Sequence, residues 1–259
     1  MRDVAHRRRI VGVSLKMYMS LAQTRGWMER LAVMATAGLP DDVDLFVIPD
    51  FVSLHASREA LAATRVLLGA QDVFWEDSGA FTGEVSAPVL AEAGCRFVEI
   101  GHAERRRLFG ETDEIVGAKT AAAVRNGLVP VLCIGEADPM APDMAVAECM
   151  RQFTAATDGI DPARELVVAW EPVWAIGAAT PATPDFIRAV GSRLRTALGD
   201  RPATRLIYGG SAGPGLLSQL GDAVDGLFLG RFAHDIDALR RVLAEAGATS
   251  LPLSPSAGN

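Results

Sequence analysis

The sequence predicts a closed (β/α)8 barrel of eight parallel strands. Two observations carry this. Eight short apolar runs are spaced along the chain, each followed by a helical pattern, and such alternation requires parallel strands joined by right-handed crossovers. The length, 259 residues, holds eight such units in one domain and fits a barrel better than an open, doubly wound sheet. No linker or shift in composition marks a second domain.

The elements follow in order. Residues 1–9 include His6-Arg7-Arg8-Arg9 and read as a frayed basic end, with the barrel spanning 10–247 and a disordered tail over 248–259. Ile10 to Leu15 is the first strand, stopping at Lys16. Leu21 to Ala37 is helical and closed by Gly38 and Pro40. Leu45 to Ile48 is a strand that Pro49 ends, and Ser53 to Ala63 a helix with Ser53 as candidate cap. Arg65 to Ala70 is the third strand. A long loop, 71–84, carries glycine, acidic and aromatic residues. Ser86 to Ala93 is helical, then Phe97 to Ile100 is a strand ending in Gly101-His102. Two helical pieces cover 104–109 and 113–126. Val129 to Ile134 is the fifth strand, and 141–157 is mainly helical. Leu166 to Ala169 is the sixth strand. Thr183 caps a helix opened by Pro184. Arg205 to Tyr208 and Gly226 to Leu229 are the last strands, followed by helices over 213–220 and 234–246.

Composition narrows the function. The net charge of −7 argues against nucleic acid as the main partner. No apolar run approaches membrane-spanning length. Cys95, Cys133 and Cys149 lack metal or redox spacing, and an odd count with no signal peptide points to reduced thiols in the cytoplasm. With 49% hydrophobic and 6% aromatic residues, the core reads as Ala, Val, Leu and Ile.

In a barrel of this kind the chemistry lies where strands end. Strand one ends in Lys16, strand four in His102 and strand six in Glu171. Strand seven ends in Gly209-Gly210-Ser211 and strand eight in Gly230-Arg231. Glu171 stands between a buried strand and Pro172, before Val173-Trp174-Ala175-Ile176-Gly177, a segment too apolar for a purely solvated loop. A carboxylate base under a lid, a polarising imidazole, a cation and two glycine turns are the parts needed to move a proton between adjacent carbons of a phosphorylated hydroxy-carbonyl compound. Open N–H groups in the glycine turns suit a phosphate, aided by a helix N-terminus. Lys16 balances charge as an enediolate forms. Each residue also has a purely structural alternative: Lys16 as a snorkelling surface residue, His102 as a helix N-cap, Glu171 as half of a salt bridge, the glycines as turn formers. His102-Ala103-Glu104 has no Pro-Cys-x-x-Cys after it, so no zinc site is expected. No organic cofactor or metal is implied.

The same residues carry a resemblance to the triosephosphate isomerase family over nearly the whole chain. Its segments are Trp170 to Gly177, Glu99 to Arg106, Gly69-Ala70-Gln71 with Trp75 to Glu84, Cys133-Ile134-Gly135-Glu136, and Tyr208 to Ser211. The resemblance implies Glu171 as the proton-shuttling base, His102 as the electrophile, Lys16 as the substrate-binding lysine paired with Glu104, and Gly177, Ser211 and Gly230 as phosphate contacts. Cys133 is supporting. The resemblance also implies a homodimer in which loop 71–84 carries Thr82 towards the partner's site. The use of a neutral histidine beside a glutamate base is that family's standard worked example of pKa tuning.

The chain departs from the family at the substrate. Ser14-Leu15-Lys16 replaces Asn-Trp-Lys, which shortens the pocket floor and removes an amide. Gly230-Arg231 replaces Gly-Gly, so Arg231 either contacts phosphate or turns outward. Ala178-Ala179-Thr180-Pro181 replaces a more flexible lid exit. These features resemble the isomerases of tetrulose phosphate catabolism and favour L-erythrulose 1-phosphate, converted to D-erythrulose 4-phosphate. The alternatives are an ordinary triosephosphate isomerase of glycolysis and an inactive phosphometabolite-binding paralogue.

Overall fold

The computed structural model describes residues 8–177, 181–199 and 201–249. Its eight strands close into a barrel in the order of the chain, every neighbouring pair parallel. They are β1 (Arg9–Ser14), β2 (Val43–Ile48), β3 (Leu67–Ala70), β4 (Phe97–Ile100), β5 (Val129–Ile134), β6 (Leu166–Trp170), β7 (Thr204–Tyr208) and β8 (Gly226–Leu229). The helices are α1 (Leu21–Gly38), α2 (Leu54–Leu61), α3 (Ala87–Glu92), α4 (Ala103–Phe109), α5 (Asp113–Arg125), α6 (Pro142–Ala156), α7 (Pro184–Ala197), α8 (Leu216–Leu220) and α9 (Ile236–Ala248).

Side-chain alternation along each strand divides the core in two. Ile10, Phe46, Ile48, Phe97, Val129, Val131, Cys133, Val167, Ala169, Ile207 and Phe228 fill the barrel interior. The residues between them, such as Val11, Leu45, Leu132, Val168 and Trp170, pack outward with the helices. Both layers are mainly aliphatic, as expected, with aromatic residues set into each. Inside, the Phe46 ring stacks at 4.5 Å on Phe97 and 6.0 Å on Phe228. Gly12 makes room for it, because a Cβ there would lie 2.2 Å from the Phe46 ring.

The alternation also decides what reaches the C-terminal mouth. Continuing the inward series gives Ser14 after Ile10 and Gly12, Glu99 after Phe97, Glu171 after Val167 and Ala169, Gly209 after Ile207, and Gly230 after Phe228. The ladder runs one step past β6: the Glu171 N–H donates to Ile134 O at 2.8 Å, and Gly209 N–H to Trp170 O at 2.9 Å.

Several boundary expectations are corrected. Arg9 is not part of a frayed end. It opens β1, is buried, and donates to Val224 O at 2.7 Å and Thr249 O at 2.9 Å. Ser53 does not cap α2 with its side chain. Asp50 caps the preceding 3-10 turn instead, accepting from the Ser53 N–H and hydroxyl. The sixth strand runs one residue further than expected, to Trp170, which is fully buried. After β8 a 3-10 turn over Arg231–His234 precedes α9, which Asp235 caps and which reaches Ala248. The rest of the basic start (1–7), the tail over 250–259 and the lid exit 178–180 lie outside the described residues.

Loop 71–84 folds on itself. Phe74 bridges to Ser86 and packs tilted against the Trp75 and Phe81 rings, with centroids at 4.0 and 4.6 Å. Arg125 and Asn126 both hold Asp77. At its base, buried Lys119 pairs with Asp72 and Glu111, and Arg105 joins both carboxylates. A buried ion pair of this kind is strongly destabilising when one partner is removed. It ties the loop to the segment that carries His102.

Candidate active site

A cavity of about 440 Å³ opens at the C-terminal mouth, lined by Ser14, Lys16, His102, Glu104 and Glu171, by Ile176 and Gly177 of the lid, and by the turns after β7 and β8. A larger groove of about 810 Å³ between α1 and α9 lies away from these groups.

Glu171 is 3% exposed. Its Oε2 stands 3.3 Å from His102 Nε2 yet makes no hydrogen bond among the described residues. Gly209 lets the side chain lie flat, since a Cβ there would come within 2.7 Å of Oε1. Burial, with the charge of Glu99 behind it, pushes the Glu171 carboxyl well above its ordinary range, while Lys16 opposes the shift. A carboxylate so raised is a stronger proton acceptor once ionised.

His102 satisfies both readings of it. It is the N-cap of α4, and its Nδ1 accepts from the Glu104 N–H at 3.1 Å. Burial first, and the Lys16 charge second, lower its pKa to about 4. The imidazole is therefore neutral near pH 7, and an accepting Nδ1 places its one proton on Nε2. That N–H faces the cavity beside Glu171.

Lys16 is turned inward, which removes the snorkelling alternative. It is the one non-glycine residue with positive φ, +49°, among the described residues, a conformation that costs on the order of 1–3 kcal/mol. Gln71 holds it by donating to Lys16 O at 2.9 Å. The ammonium donates to Glu104 Oε1 at 2.7 Å and lies 3.3 Å from His102 Nε2. Because Nε2 carries a proton, the second approach is not a hydrogen bond. Burial alone would lower the Lys16 pKa, but the bond to Glu104 and the charges of Glu104, Glu99 and Glu171 outweigh it and raise it.

The turns close the other end. The N–H groups of Gly210 and Ser211 enter no backbone hydrogen bond among the described residues, and Ser211 Oγ donates to Ala175 O of the lid at 3.2 Å. The helix after β7 is short, as expected: α8 has five residues, and Gly230 precedes a 3-10 turn. Arg231 is exposed and stands at the cavity wall. Its guanidinium lies over the Tyr18 ring at 5.6 Å, with no carboxylate partner among the described residues. Cys133 is an interior residue beneath the site. Burial and then the Glu171 and Glu99 charges push its thiol well above the ordinary range, so it packs rather than attacks. All three thiols are free and buried. Thr82 is exposed at the loop tip and does not line this cavity.

Two functional groups escaped the sequence reading. Glu99 is 3% exposed, accepts from Ser14 Oγ at 2.8 Å and lies 4.0 Å from His102 Nε2. The inward parity of β4 was the signal that could have found it. Glu136 accepts from both indoles, Trp170 at Oε2 and Trp174 at Oε1, each at 3.0 Å. It thereby joins β6 to the lid entry, a 3-10 turn over Val173–Ala175. Nothing local in the sequence marks that convergence.

The barrel mouth thus sets a carboxylate oxygen without a hydrogen bond beside a neutral imidazole and an inward ammonium. The chain belongs to the triosephosphate isomerase family, whose family model matches residues 9–246. It is 50% identical over 254 residues to L-erythrulose-1-phosphate isomerase of Pectobacterium atrosepticum, covering 94% of this chain and 97% of that one. It is 40% identical to the protein of that name from Rhizobium etli, with 95% of each chain covered. The Mesorhizobium japonicum protein of the same name is 38% identical, with 92% of this chain and 97% of that one covered.

Proposed function

We propose that this isomerase interconverts L-erythrulose 1-phosphate and D-erythrulose 4-phosphate. The observation that carries the reading is the short Glu171–His102 approach above a floor made by Ser14, in a chain half identical to a protein named for that activity. Glu171 removes the proton from C3 of the ketose. The C3–H electron pair forms the C2–C3 double bond of an enediolate, and the former carbonyl oxygen on C2 takes up the charge. His102 donates its Nε2 proton towards that oxygen, and the ammonium of Lys16 offsets the charge. Glu171 returns its proton to C2 as the hydroxyl on C3 gives its own proton to His102 Nε2, leaving a carbonyl at C3 and both side chains in their starting states. Atoms and charge balance without a cofactor.

Gly177, Ser211 and Gly230 receive the phosphate through backbone N–H groups, with Arg231 as a further cation at the rim. Glu104 holds Lys16, and Cys133 supports Glu171 from below. The barrel, as one domain, supplies every part of the site except the reach of Thr82, which is towards a second copy. Support for that dimer is the exposure of Met17 at 91% beside Lys16 and the protruding, self-packed loop 71–84. We place the enzyme in the cytoplasm, in keeping with its free thiols.

Steady-state comparison of L-erythrulose 1-phosphate with dihydroxyacetone phosphate tests the reading. The tetrulose phosphate is expected to have the higher kcat/KM. A far higher value for the triose would instead make this an ordinary triosephosphate isomerase, and no turnover of either would make it a binding protein.

A further inference from the structure

The cavity floor contains a polar pair that the proton transfer itself does not use. Ser14 is 2% exposed and lines the cavity. Its hydroxyl donates to Glu99 Oε2 at 2.8 Å. Glu99, on β4, reaches across the barrel to β1 and is itself buried. A serine hydroxyl has one proton, and with Glu99 ionised, above its raised pKa of about 7, that proton is committed to the carboxylate at 2.8 Å. What Ser14 Oγ presents to the cavity is therefore lone pairs only. A group seated on it has to be a donor, and a burial this complete penalises any group that leaves it unmatched.

The position of the pair selects which part of a ligand meets it. The glycine turns and Arg231 gather on the β7–β8 side of the mouth. Glu99 Oε1 lies 4.0 Å from His102 Nε2, so the pair sits under the reacting end, away from the phosphate turns. Resting on the tetrulose phosphate reading above, the one hydroxyl there that does not take part in the reaction is on C4.

We infer that Ser14 Oγ, oriented by Glu99, accepts a hydrogen bond from the C4 hydroxyl of the substrate and so selects a ligand that carries a hydroxymethyl group beyond the reacting carbon. Ser14 is the specificity-determining residue, and Glu99 is a positioning residue that fixes its polarity. An asparagine at this place would present an amide donor and fill the space that the extra carbon needs.

The test is a cycle between residue and substrate. Wild type is compared on L-erythrulose 1-phosphate and on its 4-deoxy analogue, which keeps the carbon and lacks the hydroxyl. Wild type is expected to favour the hydroxylated substrate in kcat/KM by about three- to tenfold, the range for one neutral hydrogen bond. In Ser14→Ala the preference should vanish. In Ser14→Thr, which keeps a hydroxyl within reach of Glu99, it should return. In Glu99→Leu it should fall towards the Ser14→Ala value although Ser14 is intact. An undiminished preference in Ser14→Ala would overturn the assignment, and one in Glu99→Leu would remove Glu99 from it. If wild type prefers the tetrulose phosphate over the triose yet ignores the 4-hydroxyl, this inference fails and the proposed function stands. If wild type prefers the triose, the function fails first.

Discussion

His102 Nε2 and Glu171 Oε2 stand 3.3 Å apart in a pocket where neither residue is more than 5% exposed. The approach works because the imidazole is neutral. Two charged partners at this distance would form an ion pair and quench the base. Here Nδ1 is held by the N-terminus of α4, and the carboxylate keeps an oxygen without a hydrogen bond for the substrate.

Removing that oxygen's basicity should remove the reaction. Glu171→Gln is expected to lower kcat by about 10²–10⁴-fold, the usual range for a lost general base. Glu171→Asp, which retracts the carboxylate, should fall between it and wild type. Steady-state assays check both, and unchanged turnover would dismiss Glu171 as base.

The His102 pKa of about 4, against 6.5 for a free histidine, has two consequences. Its folded value is depressed, so its neutral form stabilises the fold above 6.5, and that contribution is lost as pH falls through 6.5 towards 4. It amounts to roughly 3 kcal/mol at full extent. The acid limb of kcat/KM should therefore come from Glu171, above the ordinary carboxylate range, and not from imidazole protonation. An NMR titration of His102 that moves near pH 6.5 would contradict this.

Glu99 has the opposite sign. Burial raises its carboxyl to about 7 from 4.5, so its contribution to stability is full below 4.5 and is lost as pH rises through 7, again roughly 3 kcal/mol. Glu99→Gln should lack this slope. Denaturant titrations of both proteins across that window, read as a difference, separate it from the His102 effect.

Glu136 is the one acceptor for two indoles. Glu136→Ala leaves both Trp170 and Trp174 N–H groups without it, and should cost about 3 kcal/mol of stability, at about 1.5 kcal/mol or more for each bond to a charged acceptor. Because Trp174 enters the lid, kcat should fall as well. Glu136→Gln, which keeps a single carbonyl oxygen, should lie between. Equal stability of all three would exclude the bridge.

Loop 71–84 can be tested by assembly. Replacing Phe81 and Thr82 with charged residues should give a poorly active monomer by analytical ultracentrifugation and assay. A fully active monomer would show that the site is complete within one chain.

The sequence alone determined the barrel. Eight short, continuously apolar runs, each followed by a helical segment, favour a closed parallel barrel at this length, and all eight strands stand where those runs are. It also determined which residues stand at strand ends, because a strand end is a local property of the chain. Boundaries moved by a few residues where a side chain chose its partner from far away, as Arg9 did with Val224 and Thr249. Tertiary structure alone decided the rest. That Ser14 and Glu99, 85 positions apart, share a proton, that one carboxylate at Glu136 serves two tryptophans, and that Lys16 turns inward under a left-handed φ are facts of closure. Barrel closure brings inward-facing residues of distant strands within hydrogen-bond reach, and no periodicity along the chain encodes which of them will meet.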